Sequence, residues 1–308
     1  MKVLKFGGTS VANAQNIALV KNIVANSTAD KTIVVVSALG GVTDLLLNTA
    51  SLASNQDKTY KTIFNQIEER HLTTIKELIP IASQSKVLSK VKSELNTLET
   101  LLEGAYLIGE ITPKLSDKIV SYGELLSSYI ISEYFAAEKM NSTYKDSREL
   151  IKTNSIFGKA VVNFELTNKN CNNYFDSIPE KIIVMAGFIA SSTSGDSTTL
   201  GRGGSDYTAA IVASAIDAEL LEIWTDVSGM YTANPKIVKQ AMAIPHISYE
   251  EAMELSHFGA KVLYPPTIQP VLSKGISIVI KNTFDAKNSG TLITKTKNEQ
   301  GKTVRGIV

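Results

Sequence analysis

The chain has 308 residues, 44% of them hydrophobic, with 31 basic and 30 acidic side chains and a formal net charge of +1. That length suits one large α/β domain or two modest ones, and the apolar fraction supplies a sizeable core. The near-zero charge removes the main electrostatic reason to expect nucleic acid or an anionic membrane as partner, so any anionic ligand has to be held by a few placed groups.

The N-terminus opens directly on a strand-like run, Val3–Phe6, with no charged leader and apolar segment ahead of it. The run passes into Lys5-Phe-Gly-Gly-Thr-Ser10 and then a helical pattern from Val11. Glycines let backbone approach a ligand closely, and a helix start presents free N–H groups and a positive dipole end. Lys5 adds a full charge at the strand's C-terminal end, where α/β proteins bind ligands. A phosphate site and a plain turn capped by Thr9 or Ser10 account for this segment equally well.

A second strand, Thr32–Val36, leads to Ser37, Gly40-Gly41 and Thr43. From Ile63 to Ile79 and from Val87 to Leu102 apolar residues recur at helical spacing on either side of Pro80. This predicts a hairpin of two amphipathic helices used for packing or subunit contact, without chemistry. Glu124 follows at the head of an apolar helix, and Cys171 stands alone in a polar stretch. One thiol excludes an internal disulfide and a cysteine-based zinc site, which fits a reducing cytoplasm. His71, His246 and His257 show no metal-ligand spacing.

Further strand-like runs are Lys159–Asn163, Ile182–Met185, Leu220–Trp224 and Ile276–Ile280. The longest apolar stretches fall short of the roughly 20 residues that span a bilayer and read as buried strands. Alternation with helical patterns predicts an α/β sandwich with a largely parallel sheet. The polar run from Ser191 to Thr199 predicts a tight hairpin or a mobile loop.

Leu200-Gly-Arg-Gly-Gly-Ser-Asp206 precedes a helix predicted over Tyr207–Ile216. Ser205 or Asp206 suits a helix cap, but a cap does not explain three glycines beside Arg202, whose guanidinium grips a carboxylate or phosphate in two parallel hydrogen bonds. A dinucleotide fingerprint would need glycine at Asp206, a P-loop would need glycine at Thr296, and no His-Arg-Asp triplet is present. Trp224-Thr-Asp-Val-Ser-Gly-Met-Tyr231 offers groups for a ribose and a base. By itself it reads better as an Asp-started turn with Trp224 and Tyr231 buried. Lys261, in Phe258-Gly-Ala-Lys, is by itself a weak signal. The tail ends abruptly in Val304–Val308, as if a further domain follows.

In this order, Lys5-Phe-Gly-Gly-Thr-Ser-Val11, Val36-Ser-Ala38 with Val42-Thr43, Gly123-Glu124, Met185-Ala-Gly-Phe188, Gly201–Asp206, Trp224-Thr-Asp-Val227 and Phe258–Lys261 resemble the aspartokinases of the amino acid kinase superfamily. The resemblance covers essentially the whole chain. Tyr249–Leu263, Lys281-Asn-Thr283 and Gly290–Ile293 look most like the kinase half of bifunctional aspartokinase/homoserine dehydrogenases. It implies an α/β three-layer sandwich with an open, mainly parallel sheet. It implies one catalytic domain over 1–308, with an amino-acid-binding lobe to about residue 190 and a nucleotide-binding lobe from about 191. Regulatory ACT and dehydrogenase domains, absent here, would follow in a full-length cytoplasmic homo-oligomer.

The implied reaction moves the γ-phosphoryl group of ATP to the β-carboxylate of L-aspartate, giving 4-phospho-L-aspartate on the way to lysine, threonine and methionine. The acceptor is already ionised at neutral pH, so no general base is needed. By the resemblance, Lys5 contacts the γ-phosphoryl group and Asp206 orients Lys5 or Mg²⁺-bound water. Arg202 binds a carboxylate of aspartate, Glu124 its ammonium, and Ser37, Thr43, Phe188 and Ser205 complete the pocket. Gly7, Gly8, Thr9, Ser10 and Gly204 serve the phosphates. Thr225, Asp226, Tyr231, Lys236 and Lys261 hold the nucleotide. Mg²⁺ arrives with ATP on phosphate and water ligands, without a protein metal site. One departure stands out: Tyr231-Thr-Ala-Asn-Pro-Lys236 replaces the family's Tyr-Thr-x-Asp-Pro-Arg, so Lys236 keeps a charge and loses the bidentate fork.

Two other readings stay open from sequence. One is a superfamily member acting on glutamate, N-acetylglutamate, carbamate or a nucleotide monophosphate. Glu124 paired with Arg202 favours a free α-amino acid. The other is a nucleotide-binding regulatory module without turnover, against which stands the presence of both Lys5 and Asp206.

Overall fold

The protein is described by a computed structural model, which covers residues 1–233, 237–258 and 263–296. Strand β1 (Lys2–Phe6), helix α1 (Ala14–Ala25), β2 (Thr32–Val36) and α2 (Val42–Ser54) come first, then the long helices α3 (Tyr60–Leu78), α4 (Ile81–Ile108) and α5 (Pro113–Ala137). Next are β3 (Ser142–Lys145), α6 (Ser147–Leu150), β4 (Lys152–Thr153) and α7 (Phe164–Ser177). After β5 (Ile182–Ala186) a hairpin of β6 (Ile189–Ser192) and β7 (Ser197–Thr199) leads to α8 (Gly204–Ala215) and β8 (Leu220–Thr225). The chain continues through β9 (His246–Ser248), α9 (Tyr249–Phe258), α10 (Gln269–Lys274), β10 (Ile278–Asn282) and β11 (Thr291–Thr294).

Eight strands form the main sheet in the order β3-β5-β2-β1-β8-β10-β11-β9, and every pairing in it is parallel except β10 with β11. A small second sheet, β4-β6-β7, lies beside it. The apolar runs dictate this arrangement. All five residues of β2 are buried, Val34 and Val36 in the core cluster with α1 to α5, Ile33 and Val35 in that with α7 to α10. A strand apolar on both faces has to be covered on both, which makes a three-layer sandwich with a parallel centre.

The helical hairpin breaks where expected. Ile79, ahead of Pro80, is extended (φ −92, ψ 128), as a residue before proline prefers. Gly109 ends α4 in the left-handed region, and Thr112 caps α5 with Pro113 in its first turn.

Other boundaries move. Lys159–Asn163 is not a strand and holds only an isolated bridge from Val162 to Thr153. The Asn154 side chain takes the N–H groups of Ile156 and Val161, and Asn163 caps α7, so polar local bonds win over pairing. The last central strand starts at Ile278, two residues later than its apolar run. Helix α1 starts only after Asn13, whose side chain accepts from Asn16 N–H, so neither Thr9 nor Ser10 caps it. Glu124 lies inside α5 and not at its head, and α8 starts at Gly204, earlier than its apolar pattern.

Candidate active site

The C-terminal ends of β1, β2 and β5 open onto a cavity of about 640 Å³, lined among others by Lys5, Ser37, Thr43, Glu124, Phe188 and the turn Gly201–Asp206. Four segments distant in sequence therefore meet. Lys5 points from β1 to the face carrying α8, and its ammonium lies 2.7 Å from Asp206 Oδ1. Both side chains are largely buried, at 11% and 15% exposure, and the carboxylate oxygen is not aligned as a hydrogen-bond acceptor for the amine. A close charge pair at a cavity wall adds little to stability but holds a cation in place.

The turn after β1 uses part of its own donors. Gly7 N–H bonds the Trp224 carbonyl, and the N–H groups of Ser10 and Val11 return to Gly7. Those of Gly8 and Thr9 have no partner among the described residues. Ser10 is fully buried, its hydroxyl set between the Trp224 carbonyl and the Thr283 hydroxyl. On the other wall Gly203, in the left-handed region, precedes α8, and Gly204 N–H bonds Gly201. Ser205 and Asp206 are the second and third helical residues, not its cap, and their N–H groups are unpartnered among the described residues. Two pairs of open N–H groups plus one ammonium suit phosphate oxygens.

Glu124 is the outstanding electrostatic feature. It is 3% exposed, its Oε2 has no hydrogen-bond partner, and burial pushes its carboxyl up to about 8 against the backbone hydrogen bonds it accepts from Ala38 and from its own residue. Such a group is costly alone and becomes favourable when a cation docks on it. Helix α5 can bring it there because Gly123 lets the helix press on the turn after β2. A Cβ at Gly123 would sit 2.9 Å from that of Ala38. Arg202 also lines the cavity, its guanidinium 5.5 Å from the centre of the Tyr264 ring.

Phe188 shapes the floor in a left-handed conformation (φ 66) that is rare for an aromatic residue. Its N–H is held by the Thr208 hydroxyl and its carbonyl by Leu200 N–H. Gly204 allows this closeness, since a Cβ there would meet Phe188 Cδ2 at 2.6 Å. Strain held by surrounding bonds at a cavity is a mark of a functional wall.

The other expected residues lie apart from the cavity lining. Thr225 ends β8 and Asp226 follows it, their side chains bonded to each other, next to Gly7 across the β1–β8 pairing. Trp224 is buried against Phe6, with ring centres 5.9 Å apart, and so cannot lie on a base. Tyr231 bridges to Ala243. Lys236 and Lys261 lie outside the described residues. Cys171 is buried and its thiol is pushed up to about 12 by desolvation, which leaves it inert.

Sequence reasoning missed Asp117. It lines the cavity, is 4% exposed, and accepts bonds from Gly158 N–H, Thr199 N–H and the Thr199 hydroxyl at 2.8 to 3.0 Å. The available signal was its spacing from Val120 and Glu124, which puts all three on one helix face.

For a divalent cation, no group of three Asp, Glu, His or Cys side chains is assembled among the described residues. The donors present fit a cation carried by phosphate oxygens and water, with Asp206 as the nearest carboxylate to Lys5. No described helix is long and apolar enough to cross a membrane.

Residues 1–282 match the model of the amino acid kinase family. The bifunctional aspartokinase/homoserine dehydrogenase 2 of Zea mays is 37% identical over 301 residues, 97% of this chain and 33% of that protein. The lysine-sensitive aspartokinase 3 of Escherichia coli is 35% identical over 298 residues, 96% of this chain and 65% of that protein. The crystal structure of E. coli aspartokinase III in complex with aspartate and ADP superposes with a TM-score of 0.88 at 32% identity, covering 97% of this chain and 65% of that one. The chain thus spans about a third of the bifunctional relatives it matches.

Proposed function

The chain belongs to the amino acid kinase family, and from that premise we propose that it is an aspartate kinase, transferring the γ-phosphoryl group of ATP to the β-carboxylate of L-aspartate. The observation that carries the substrate is that buried Glu124, its Oε2 without a hydrogen-bond partner, and Arg202 line one cavity. This is a clamp for a small molecule with an ammonium at one end and a carboxylate beside it. The likeness to an aspartokinase known with aspartate and ADP supports the same reading.

In this reading Glu124 holds the ammonium and Arg202 the α-carboxylate. Ser37, Thr43, Ser205 and the strained Phe188 close the pocket around the one-carbon spacer. The β-carboxylate is left free toward Lys5. One of its oxygens attacks the γ-phosphorus as the bond to the ADP oxygen breaks, giving an acyl phosphate and ADP. No proton has to move. Lys5, held by Asp206, neutralises charge on the phosphoryl oxygens, and positioning with charge stabilisation supplies most of the rate. The N–H groups of Gly8, Thr9, Ser205 and Asp206 receive phosphate oxygens. Gly7, Gly204 and Ser10, whose groups are used internally, shape the turns. A magnesium ion bound to the nucleotide would supply further charge neutralisation, and Asp206 is the residue that would orient its water ligands.

Thr225, Asp226, Tyr231, Lys236 and Lys261 form the nucleotide side in this proposal. The acid then lies mainly against the half of the molecule to about residue 190 and ATP mainly against the rest, with Arg202 and Ser205 reaching the acid and Lys5, Gly8 and Thr9 the phosphates across that boundary. A homo-oligomer with regulatory and dehydrogenase domains in the longer protein, in the cytoplasm, belongs to the same proposal. The length of the bifunctional relatives supports the further domains.

Hydroxylamine trapping tests the reaction. With ATP and Mg²⁺, aspartate is expected to give its hydroxamate, and glutamate and N-acetylglutamate are not. Folded protein that releases no hydroxamate with aspartate rules the reading out.

A further inference from the structure

The buried carboxylate of Asp117 has an unusual set of partners. Burying a charge is expensive unless it is paired, and the described side chains provide Asp117 with no cation within ion-pair distance. Instead it takes three neutral donors. Gly158 N–H at 2.9 Å belongs to the loop before α7, while Thr199 N–H at 3.0 Å and the Thr199 hydroxyl at 2.8 Å belong to β7. Thr199 lies 82 residues from Asp117 in sequence and three before Arg202. Its carbonyl in turn accepts Ala160 N–H, and a Cβ on Gly201 would sit 3.7 Å from the Gly158 carbonyl.

Asp117 therefore ties the segment that delivers Arg202 to α5, two turns ahead of Glu124 on the same face of that helix. The two groups proposed to grip opposite sides of the amino acid sit on different elements. Among the described residues, this carboxylate makes the direct side-chain hydrogen bonds from α5 to the strand leading to Arg202. The Lys114–Asp196 ion pair reaches the same hairpin farther away and is exposed, so it fixes little.

We propose that Asp117 is the positioning residue that sets the gap between Glu124 and Arg202, and with it the length of amino-dicarboxylic acid the site accepts. This rests on the aspartate kinase reading. A misplacement of about 1 Å between substrate-gripping groups costs roughly a hundredfold in rate. The clamp then accepts one methylene between α-carbon and acceptor carboxylate and misplaces the acceptor of the longer homologue.

The test is initial-rate kinetics on the full chain with ATP and either aspartate or glutamate. Asp117→Ala is expected to raise the aspartate KM roughly ten- to a hundredfold. The ATP KM should hold, and the preference for aspartate over glutamate should narrow about as much. Asp117→Asn restores both values, because one amide oxygen still accepts both N–H groups and the amide nitrogen donates to the Thr199 hydroxyl. A loss shared equally between ATP and aspartate, or an unchanged preference in folded Asp117→Ala, leaves Asp117 a merely structural residue and overturns the inference. Should Asp117→Ala not fold, Thr199→Val removes only the hydroxyl bond and is expected to shift the preference the same way by less, and no shift overturns the proposal. A wild-type chain that turns over neither acid rules out the kinase reading itself, and this inference with it. Turnover by the wild type with an unmoved preference in the variants removes only the role of Asp117.

Discussion

Lys5 and Glu124 carry opposite kinds of electrostatic information. Lys5 has a counter-charge, Asp206, 2.7 Å away before any ligand arrives. Replacing it with methionine keeps the stem and removes the charge, and kcat is expected to fall about 10²- to 10³-fold, the size of effect seen when one charge-stabilising donor is lost. A thermal melt separates this from unfolding, and retained turnover in folded protein would take Lys5 out of the chemistry. Glu124 is unpaired, and burial has moved its carboxyl to about 8. Below that pH the empty site holds a neutral acid, and binding an ammonium requires the proton to leave. Apparent affinity for aspartate is therefore expected to rise between pH 6 and 8, by up to about tenfold per unit, and to level off above 8. Glu124→Gln should weaken binding and flatten this profile. Calorimetric titration across that range measures both.

At the level of elements, the α3–α4 hairpin and the turn leading into α8 play different parts. Leu95 in α4 is fully buried in the core cluster shared with α2, α3 and α5, and no part of α4 lines the cavity. Leu95→Ala is expected to cost about 2–5 kcal/mol in urea unfolding while leaving kcat and both KM values unchanged at 25 °C. A changed aspartate KM would mean that the hairpin reaches the site. The turn into α8 is tolerant of nothing larger than hydrogen at Gly204, because the Phe188 ring and backbone occupy that space.

Across the whole molecule, two fully buried groups with large shifts, His71 and Glu124, make opposing contributions to the dependence of stability on pH. His71 is fully buried in α3, its Nδ1 bonded to the Ile67 carbonyl, and desolvation lowers it to about 4. Its unfolded form binds a proton near 6.5, so between pH 6.5 and 4 the unfolded state takes up more protons and stability falls with acid. Glu124 runs the other way. Its folded form keeps a proton that the unfolded form loses near 4.5, so stability falls as pH rises from 4.5 to 8. The two slopes oppose each other between 4.5 and 6.5, and the contribution of this pair is expected to be flat there. Outside that window one group acts alone: His71 over about half a pH unit below 4.5, worth under ~1 kcal/mol, and Glu124 from 6.5 to 8, worth about 2 kcal/mol. Denaturant midpoints across pH check this: His71→Leu should remove the acid arm, and Glu124→Gln the alkaline one. Saturating aspartate should also remove the alkaline arm, since a bound ammonium keeps the carboxylate ionised.

What the sequence determined alone is short-range. Five of the six apolar runs became strands of the main sheet, because a segment apolar on both sides has no stable place but its interior. Pro80 marked the break of the hairpin, and the glycines beside Arg202 marked a close backbone approach. The tertiary structure decided the rest. Lys159–Asn163 has the residues of a strand, but its flanking asparagines are used in local turns and a cap. Nothing local tells that Ser10 turns inward, that Gly7 spends its N–H on Trp224, or that Asp117 holds Thr199 from 82 residues away. Hydrogen-bond partners and burial depend on which segments are packed together, and only the folded sheet brings those segments within a few ångströms of one another.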